Sequence, residues 1–219
     1  MKRKAAINDL LKVMARLRSP TGCPWDREQS HRSLRRHAIE EVYELIDAIE
    51  AGDDHEMAEE LGDLLLQVVF HCQLAKERGA FDFDEVCRLI VEKLIRRHPH
   101  VFGEITVKDV DEVWANWEKI KKAEKHGTKH ARLSALDGIP KHLPALLRAE
   151  KLVKKARKAK ILRPAPVPRR RLAKAALAKA LFSLAEEAQG RGWSAEELLC
   201  REIKRREQNW RHQECVKSR

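Results

Sequence analysis

The sequence lacks any apolar run long enough to cross a membrane. Its longest, Leu64 to Phe70, is already broken by Gln67, whereas a helical span needs about 18 apolar residues or more. Behind the basic start Met1-Lys-Arg-Lys there is no apolar core and no small-residue cleavage site. No signal peptide is expected, and the sequence points to the cytoplasm. Aromatic residues are scarce, at 5%, and there are only 9 Gly and 8 Pro in 219 residues. With Leu, Ala, Glu, Lys and Arg abundant, that balance favours helix over sheet. The five cysteines, Cys23, Cys72, Cys87, Cys200 and Cys215, are odd in number and form no C-x-x-C pair. A disulfide framework or structural zinc site is not expected, and reduced thiols fit a cytosolic chain. A glycine-rich P-loop and a His-Asp dipeptide are also missing, which removes two common routes to phosphate chemistry.

What the chain has in quantity is charge, 36% of residues, beside 43% hydrophobic residues that can build a sizeable core. The net charge of +11 is uneven. From Ile139 to Arg219 there are 22 Lys+Arg against 8 Asp+Glu, which leaves the first 138 residues at −3. Two regions with different jobs are implied.

Apolar spacing predicts helices over 7–18, from Ser30 or Ser33 to Ala51, from Asp54 to Arg78, over 84–97 and over 109–125. Pro20, Gly22 and Pro24 break the chain after the first. Gly52-Asp53-Asp54 separates the second and third, and Asp82 or Asp84 caps the fourth. From Leu61 the third is apolar almost all round, the pattern of a helix buried in a bundle or at a dimer interface. Residues 1–125 thus read as an all-α bundle. Residues 126–168 read as a basic linker and helix, the latter over 146–159, interrupted by Pro164, Pro166 and Pro168. Two helices follow, over 170–189 and 194–213, the second opened by the capping box Ser194-x-x-Glu197.

Two acid clusters stand out. Glu40, Glu41 and Glu44 lie on the second helix, and Glu59, Glu60 and Asp63 at the front of the third. Acids at i and i+3 share a helix face, and antiparallel neighbours would bring both sets together. Four carboxylates beside apolar stripes would repel strongly and be costly to bury. A hard divalent cation with oxygen ligands removes that cost, and two such ions can bridge a polyphosphate. The alternative is a pair of solvated amphipathic faces, since Glu is an ordinary helix residue. A ferritin-like di-iron site would need a Glu-x-x-His on each of two helices. Only Glu28 to His31 provides one.

The arrangement E-E-x-x-E, a gap, then E-x-x-D resembles the metal motif of the MazG-type all-α nucleoside triphosphate pyrophosphohydrolases. So do Gly22-Cys-Pro-Trp-Asp26, Glu60-Leu-Gly-Asp-Leu-Leu65, Arg96-Arg-His-Pro-His-Val-Phe102, Trp117-Glu-Lys-Ile-Lys121 and Ser134-Ala-Leu-Asp-Gly-Ile-Pro140. The likeness runs over about residues 7–155. It implies a dimer-forming helical bundle that cleaves a nucleoside triphosphate, NTP or dNTP, to the monophosphate and pyrophosphate. Water, activated by Mg²⁺ or in its place Mn²⁺, would attack the α-phosphorus. It implies Glu41, Glu44, Glu60 and Asp63 as metal ligands, with Glu40 behind them or orienting water. Lys93 and Arg97 would neutralise phosphates, Trp117 would offer a flat face to the base, and Lys121 lies one turn on. His98 and His100 are either phosphate contacts or turn residues.

The second half departs from this pattern. Leu181-Phe-Ser-Leu-Ala-Glu-Glu-Ala, Gly192-Trp-Ser-Ala-Glu-Glu-Leu-Leu and Arg201-Glu-Ile-Lys204 resemble the tail of a second copy. No acid motif survives upstream, and Gln208 stands where the family has arginine. Residues 169–219 are expected to be a degenerate, metal-free second copy. Separately, Arg148 to Lys179 carries 13 Lys+Arg and one acid. That stretch is expected either to be a solvated basic face or to give weak, salt-sensitive nucleic-acid binding. A non-catalytic nucleic-acid or partner-binding protein on the same scaffold is the competing function.

Overall fold

In a computed structural model the structure describes residues 6–124, 127, 133–162 and 173–217. These residues are all-α: α1 (Ala6–Leu17), α2 (Pro24–Glu28), α3 (Arg35–Ala51), α4 (Asp54–Glu77), α5 (Phe83–Arg97), α6 (Pro99–Phe102), α7 (Val110–Ala123), α8 (Ala145–Lys158), α9 (Lys174–Gly190) and α10 (Ala195–Lys217). No helix of the described residues is long and apolar enough to cross a membrane. The five cysteines are all free thiols. The prolines at 164, 166 and 168 and the start of the helix expected over 170–189 lie outside the described residues, as do residues 126 and 128–132 of the expected linker.

The chain divides into two compact units, Met1–Trp117 and Glu118–Arg219. In the first, α3 and α4 form the most extensive helix pair. Their hinge is local chemistry. Gly52 takes the left-handed conformation at φ 70° that a side chain disfavours, and the Asp53 carboxylate accepts from the backbone N–H groups of His55 and Glu56 at 2.9 and 3.1 Å. Pairs across the hinge run in opposite chain directions, His31 with His71 and Glu41 with Gln67, so the two helices are antiparallel. Asp82 caps α5 through the Glu85 N–H. A small core of Met14, Leu34, Val69 and Phe70 joins α1, the entry to α3 and α4.

Pro24 and Pro99 act differently from a simple break. Pro24 and Pro99 each begin a short helix, α2 and α6, because a missing N–H costs nothing in the first turn. The apolar surface of the first unit is also less covered than the pattern suggests. On α4, Val69, Phe70, Cys72 and Ala75 are buried, but Leu61, Leu65 and Val68 are exposed, as are Ile39, Val42, Ile46 and Ile49 on α3.

The second unit has its own core, Leu136, Ala145, Leu152, Ala156, Ile161, Ile203 and Trp210, built mainly by α8 on α10. Residues 134–140, which show no periodicity, are docked all the same. Leu136 is buried, Glu214 accepts from the Ser134 hydroxyl and the Ala135 N–H, and Arg211 pairs with Asp137 at 2.7 Å. Glu197 N–H donates to Ser194 Oγ at 3.2 Å, one of the two bonds of a capping box, while the Glu197 carboxylate pairs with Arg201.

Candidate active site

Hinge geometry sets the acids. Glu44 and Glu60 each lie eight residues from Gly52, and Glu41 and Asp63 each lie eleven. At equal rise per residue, antiparallel helices place each pair at one height. Glu41, Glu60 and Asp63 accordingly offer oxygens that all lie within 4.8 Å of one another, on half-buried side chains. Among the described residues no other group of three or more His, Cys, Asp or Glu has such ligand geometry.

The electrostatics match a crowded acid site. Burial pushes the Glu60 carboxyl above its ordinary value, followed by the charges of Glu44, Asp63, Glu41 and Glu56. Burial also raises Glu41, helped by Asp63 and Glu44 and opposed by a hydrogen bond from Gln67 and by His37. Glu60 Oε2 is buried with no hydrogen-bond partner. Three converging carboxylates, two of them raised, and one buried oxygen without a donor form an all-oxygen set that fits a hard divalent cation.

Glu44 is exposed and lies outside the three-acid group, although its charge acts on both Glu41 and Glu60. Glu40 points to His37, whose Nδ1 lies 3.1 Å from Glu40 Oε2. The edge of this region carries Trp25, edge-to-face with His37 at 5.9 Å and with Phe70 at 6.5 Å. Lys93 is exposed on α5, and Arg97 is half-buried in its last turn. Trp117 of α7 packs edge-to-face on His98 at 5.2 Å and on Trp114 at 5.7 Å, and its Nε1 is buried without a partner. His98, the residue that ends α5, has Nδ1 2.7 Å from the Leu94 carbonyl oxygen, and its ring neighbours that of His100 in α6 at 5.6 Å. Lys121 falls in the second unit, where it pairs with Glu118.

Two features escaped the sequence reading. Gln67 donates from Nε2 to Glu41 Oε1 at 3.2 Å. Further along, the His31 and His71 rings stack at 5.0 Å with their Nδ1 atoms 2.8 Å apart, and burial lowers the His71 pKa. A signal was present: Glu60, Asp63, Gln67 and His71 recur at i, i+3, i+7 and i+11, and so share one face of the helix.

Comparison with known proteins agrees with the geometry. Residues 29–102 match the model of the MazG nucleotide pyrophosphohydrolase domain. The chain is 49% identical over 150 residues to the nucleoside triphosphate pyrophosphohydrolase of Escherichia coli strain K12, covering 68% of this chain and 56% of that protein. It is 49% identical over 148 residues to the nucleoside triphosphate pyrophosphohydrolase/pyrophosphatase MazG of Thermotoga maritima, covering 68% and 55%. The chain thus spans about half the length of these relatives. A crystal structure of a mazG-related protein from Thermotoga maritima aligns with TM-score 0.45 and 27% identity, over 52% of this chain and 98% of that one. The part of the chain that matches the MazG nucleotide pyrophosphohydrolase domain, residues 29–102, holds α3, α4, α5 and all of the clustered acids.

Proposed function

We propose that this chain hydrolyses nucleoside triphosphates, NTP or dNTP, to the monophosphate and pyrophosphate. The observation that carries the reading is the convergence of Glu41, Glu60 and Asp63 within 4.8 Å, inside a domain whose relatives bear that activity in their names. Water attacks the α-phosphorus, the α–β anhydride bond breaks, and the electron pair leaves with pyrophosphate. Glu41, Glu60 and Asp63, with Glu44 closing the set, would hold Mg²⁺ or Mn²⁺. Bound there, a divalent cation supplies charge neutralisation of the polyphosphate and a lowered pKa for water.

The remaining roles belong to side chains of the chain itself. Glu40, which lies beside His37, would stand behind the metal ligands or orient the attacking water. Lys93 and Arg97, one turn apart on α5, offset phosphate charge, Arg97 with a fork suited to two oxygens. Trp117 offers an aromatic surface to the base, and Lys121 adds a further cation on the same helix. The exposed apolar residues of α3 and α4 support assembly as a homodimer, since so many large apolar side chains on one helix pair gain by being covered. Exposed Lys151, Lys154, Arg157 and Lys158 on α8 support weak nucleic-acid affinity within 148–179 as a secondary property. Residues 169–219 are read as a degenerate second copy, since they lack both acid motifs.

The test is turnover of a panel of NTPs and dNTPs with Mg²⁺, scoring pyrophosphate separately from orthophosphate. Pyrophosphate release that stops in excess EDTA is expected. Orthophosphate as the primary product, or full activity in EDTA, would overturn the reading.

A further inference from the structure

Gln67 is the one uncharged polar side chain buried on α4. It is 8% exposed. Its Nε2 donates to Glu41 Oε1 at 3.2 Å, while its Oε1 is buried with no hydrogen-bond partner. The orientation of the amide is fixed by chemistry, because the reverse would set two oxygens against each other. An amide satisfied at one end only is a poor choice for core stability. A methionine or leucine would fill the same space without an unpaired acceptor. Gln67 also stands on the stripe of Glu60 and Asp63, one turn beyond Asp63, and its hydrogen bond goes to a member of the acid group.

We propose that Gln67 is a positioning residue of the carboxylate site. Its N–H group fixes Glu41 Oε1, which leaves the second Glu41 oxygen turned to a ligand. Its free Oε1 accepts a hydrogen bond from the hydration shell that a bound Mg²⁺ or Mn²⁺ ion retains. The acceptor is thus satisfied only in the loaded site, and the cost of burying it is recovered there. The inference rests on the divalent-cation reading of Glu41, Glu60 and Asp63. Partners of this kind commonly change metal affinity by about 10–100-fold.

The experiment is calorimetric titration of the full chain with Mn²⁺ alone, beside thermal unfolding in EDTA, for the parent, Gln67→Met and Gln67→Leu. The expected result is a Mn²⁺ affinity weakened about 10–100-fold in a chain whose metal-free melting temperature is unchanged or raised. A purely structural glutamine would give the reverse, a lowered metal-free melting temperature with affinity intact. An affinity within about twofold of the parent in either folded variant overturns the proposal, as does failure of both variants to fold. If the parent itself binds no Mn²⁺, the cation reading falls, which is a separate outcome from a parent that binds and variants that bind equally.

Discussion

Arg18 grips both carboxylate oxygens of Glu77, Nε to Oε1 and Nη2 to Oε2, each at 2.7 Å. The same guanidinium donates through Nη1 to the Asp26 carbonyl oxygen and lies 5.6 Å from the Phe70 ring centroid. One side chain therefore ties the end of α1, the short α2 and the last turn of α4 into a single body. Hydrogen bonding from Arg18 holds the Glu77 carboxyl below its ordinary value of 4.5, against the opposing effect of burial. A folded value below the unfolded one contributes stability that is present above about pH 4.5 and lost as pH falls through the folded value.

Glu77→Gln is expected to lower stability at pH 7 by about 1–2 kcal/mol, a range reduced because Glu77 is partly open to solvent. It should also flatten the acid limb of the stability profile below pH 4.5. Urea melts from pH 3 to pH 7 measure both. An acid limb as steep as the parent's would contradict the linkage.

The acid cluster carries the opposite sign. Glu60 and Glu41 are raised above 4.5, mainly by burial and then by neighbouring acids. Their folded state binds protons more tightly than the unfolded one. That contribution is full below pH 4.5 and is lost as pH rises through the raised values. In EDTA, Glu60→Gln should therefore stabilise the chain at pH 7, while Mg²⁺ should stabilise only the parent. Paired thermal scans with and without Mg²⁺ read this directly. A Glu60→Gln variant stabilised by Mg²⁺ as strongly as the parent would remove Glu60 from the ligand set.

Asp63→Ala should cut metal-dependent pyrophosphate release by about 100-fold or more, with the helical fold retained, because removing one acid relieves repulsion among the rest. Arg97→Ala should cost about 10-fold in kcat/KM, roughly 1.4 kcal/mol, for loss of a charge-assisted phosphate contact. Steady-state kinetics on one nucleotide, beside circular dichroism, separates these. Full turnover in Asp63→Ala would mean that the carboxylates are a solvated face.

Much of this site was legible before any coordinates. The hinge announces itself through Gly52 and Asp53, and equal spacing from Gly52 sets Glu44 level with Glu60 and Glu41 level with Asp63, of which Glu41, Glu60 and Asp63 converge. Short-range signals of this kind depend only on local backbone preference and helical period. The Arg18–Glu77 pair spans 59 residues and Ser134–Glu214 spans 80, and no periodicity encodes which distant partner a side chain will meet. Leu136 was passed over for the same reason: it sits in an aperiodic stretch and is buried by α8 and α10, not by its own neighbours. Pro24 reads from the sequence only as a break and yet opens α2, since a proline's local signal is the same whether a helix ends before it or begins with it.

The exposed apolar residues of α3 and α4 lead to a prediction about assembly. Ile39, Ile46 and Leu61 are 55%, 44% and 50% exposed. Sedimentation at micromolar concentration should show at least a dimer. Ile46→Glu should shift it toward monomer, because a charge in an apolar interface is left desolvated and unpaired. A monomeric parent would leave the face without a second copy to cover it.

The two cores share no residue. Met14, Leu34, Val69 and Phe70 form one, and every member of the other lies between Leu136 and Trp210. A truncated chain ending at Gly127 keeps α1 to α7, and with them Glu41, Glu44, Glu60, Asp63, Lys93, Arg97, Trp117 and Lys121. It should remain helical and retain Mg²⁺-dependent pyrophosphate release, because no clustered acid lies beyond the cut. It should also lose retention on a polyanion column and any salt-sensitive nucleic-acid affinity, since residues 139–219 hold 22 of the 45 Lys+Arg. A truncated chain that is folded and binds Mn²⁺ yet releases no pyrophosphate would show that the second unit supplies a group the reaction needs. Undiminished polyanion retention would move the basic surface to the first unit.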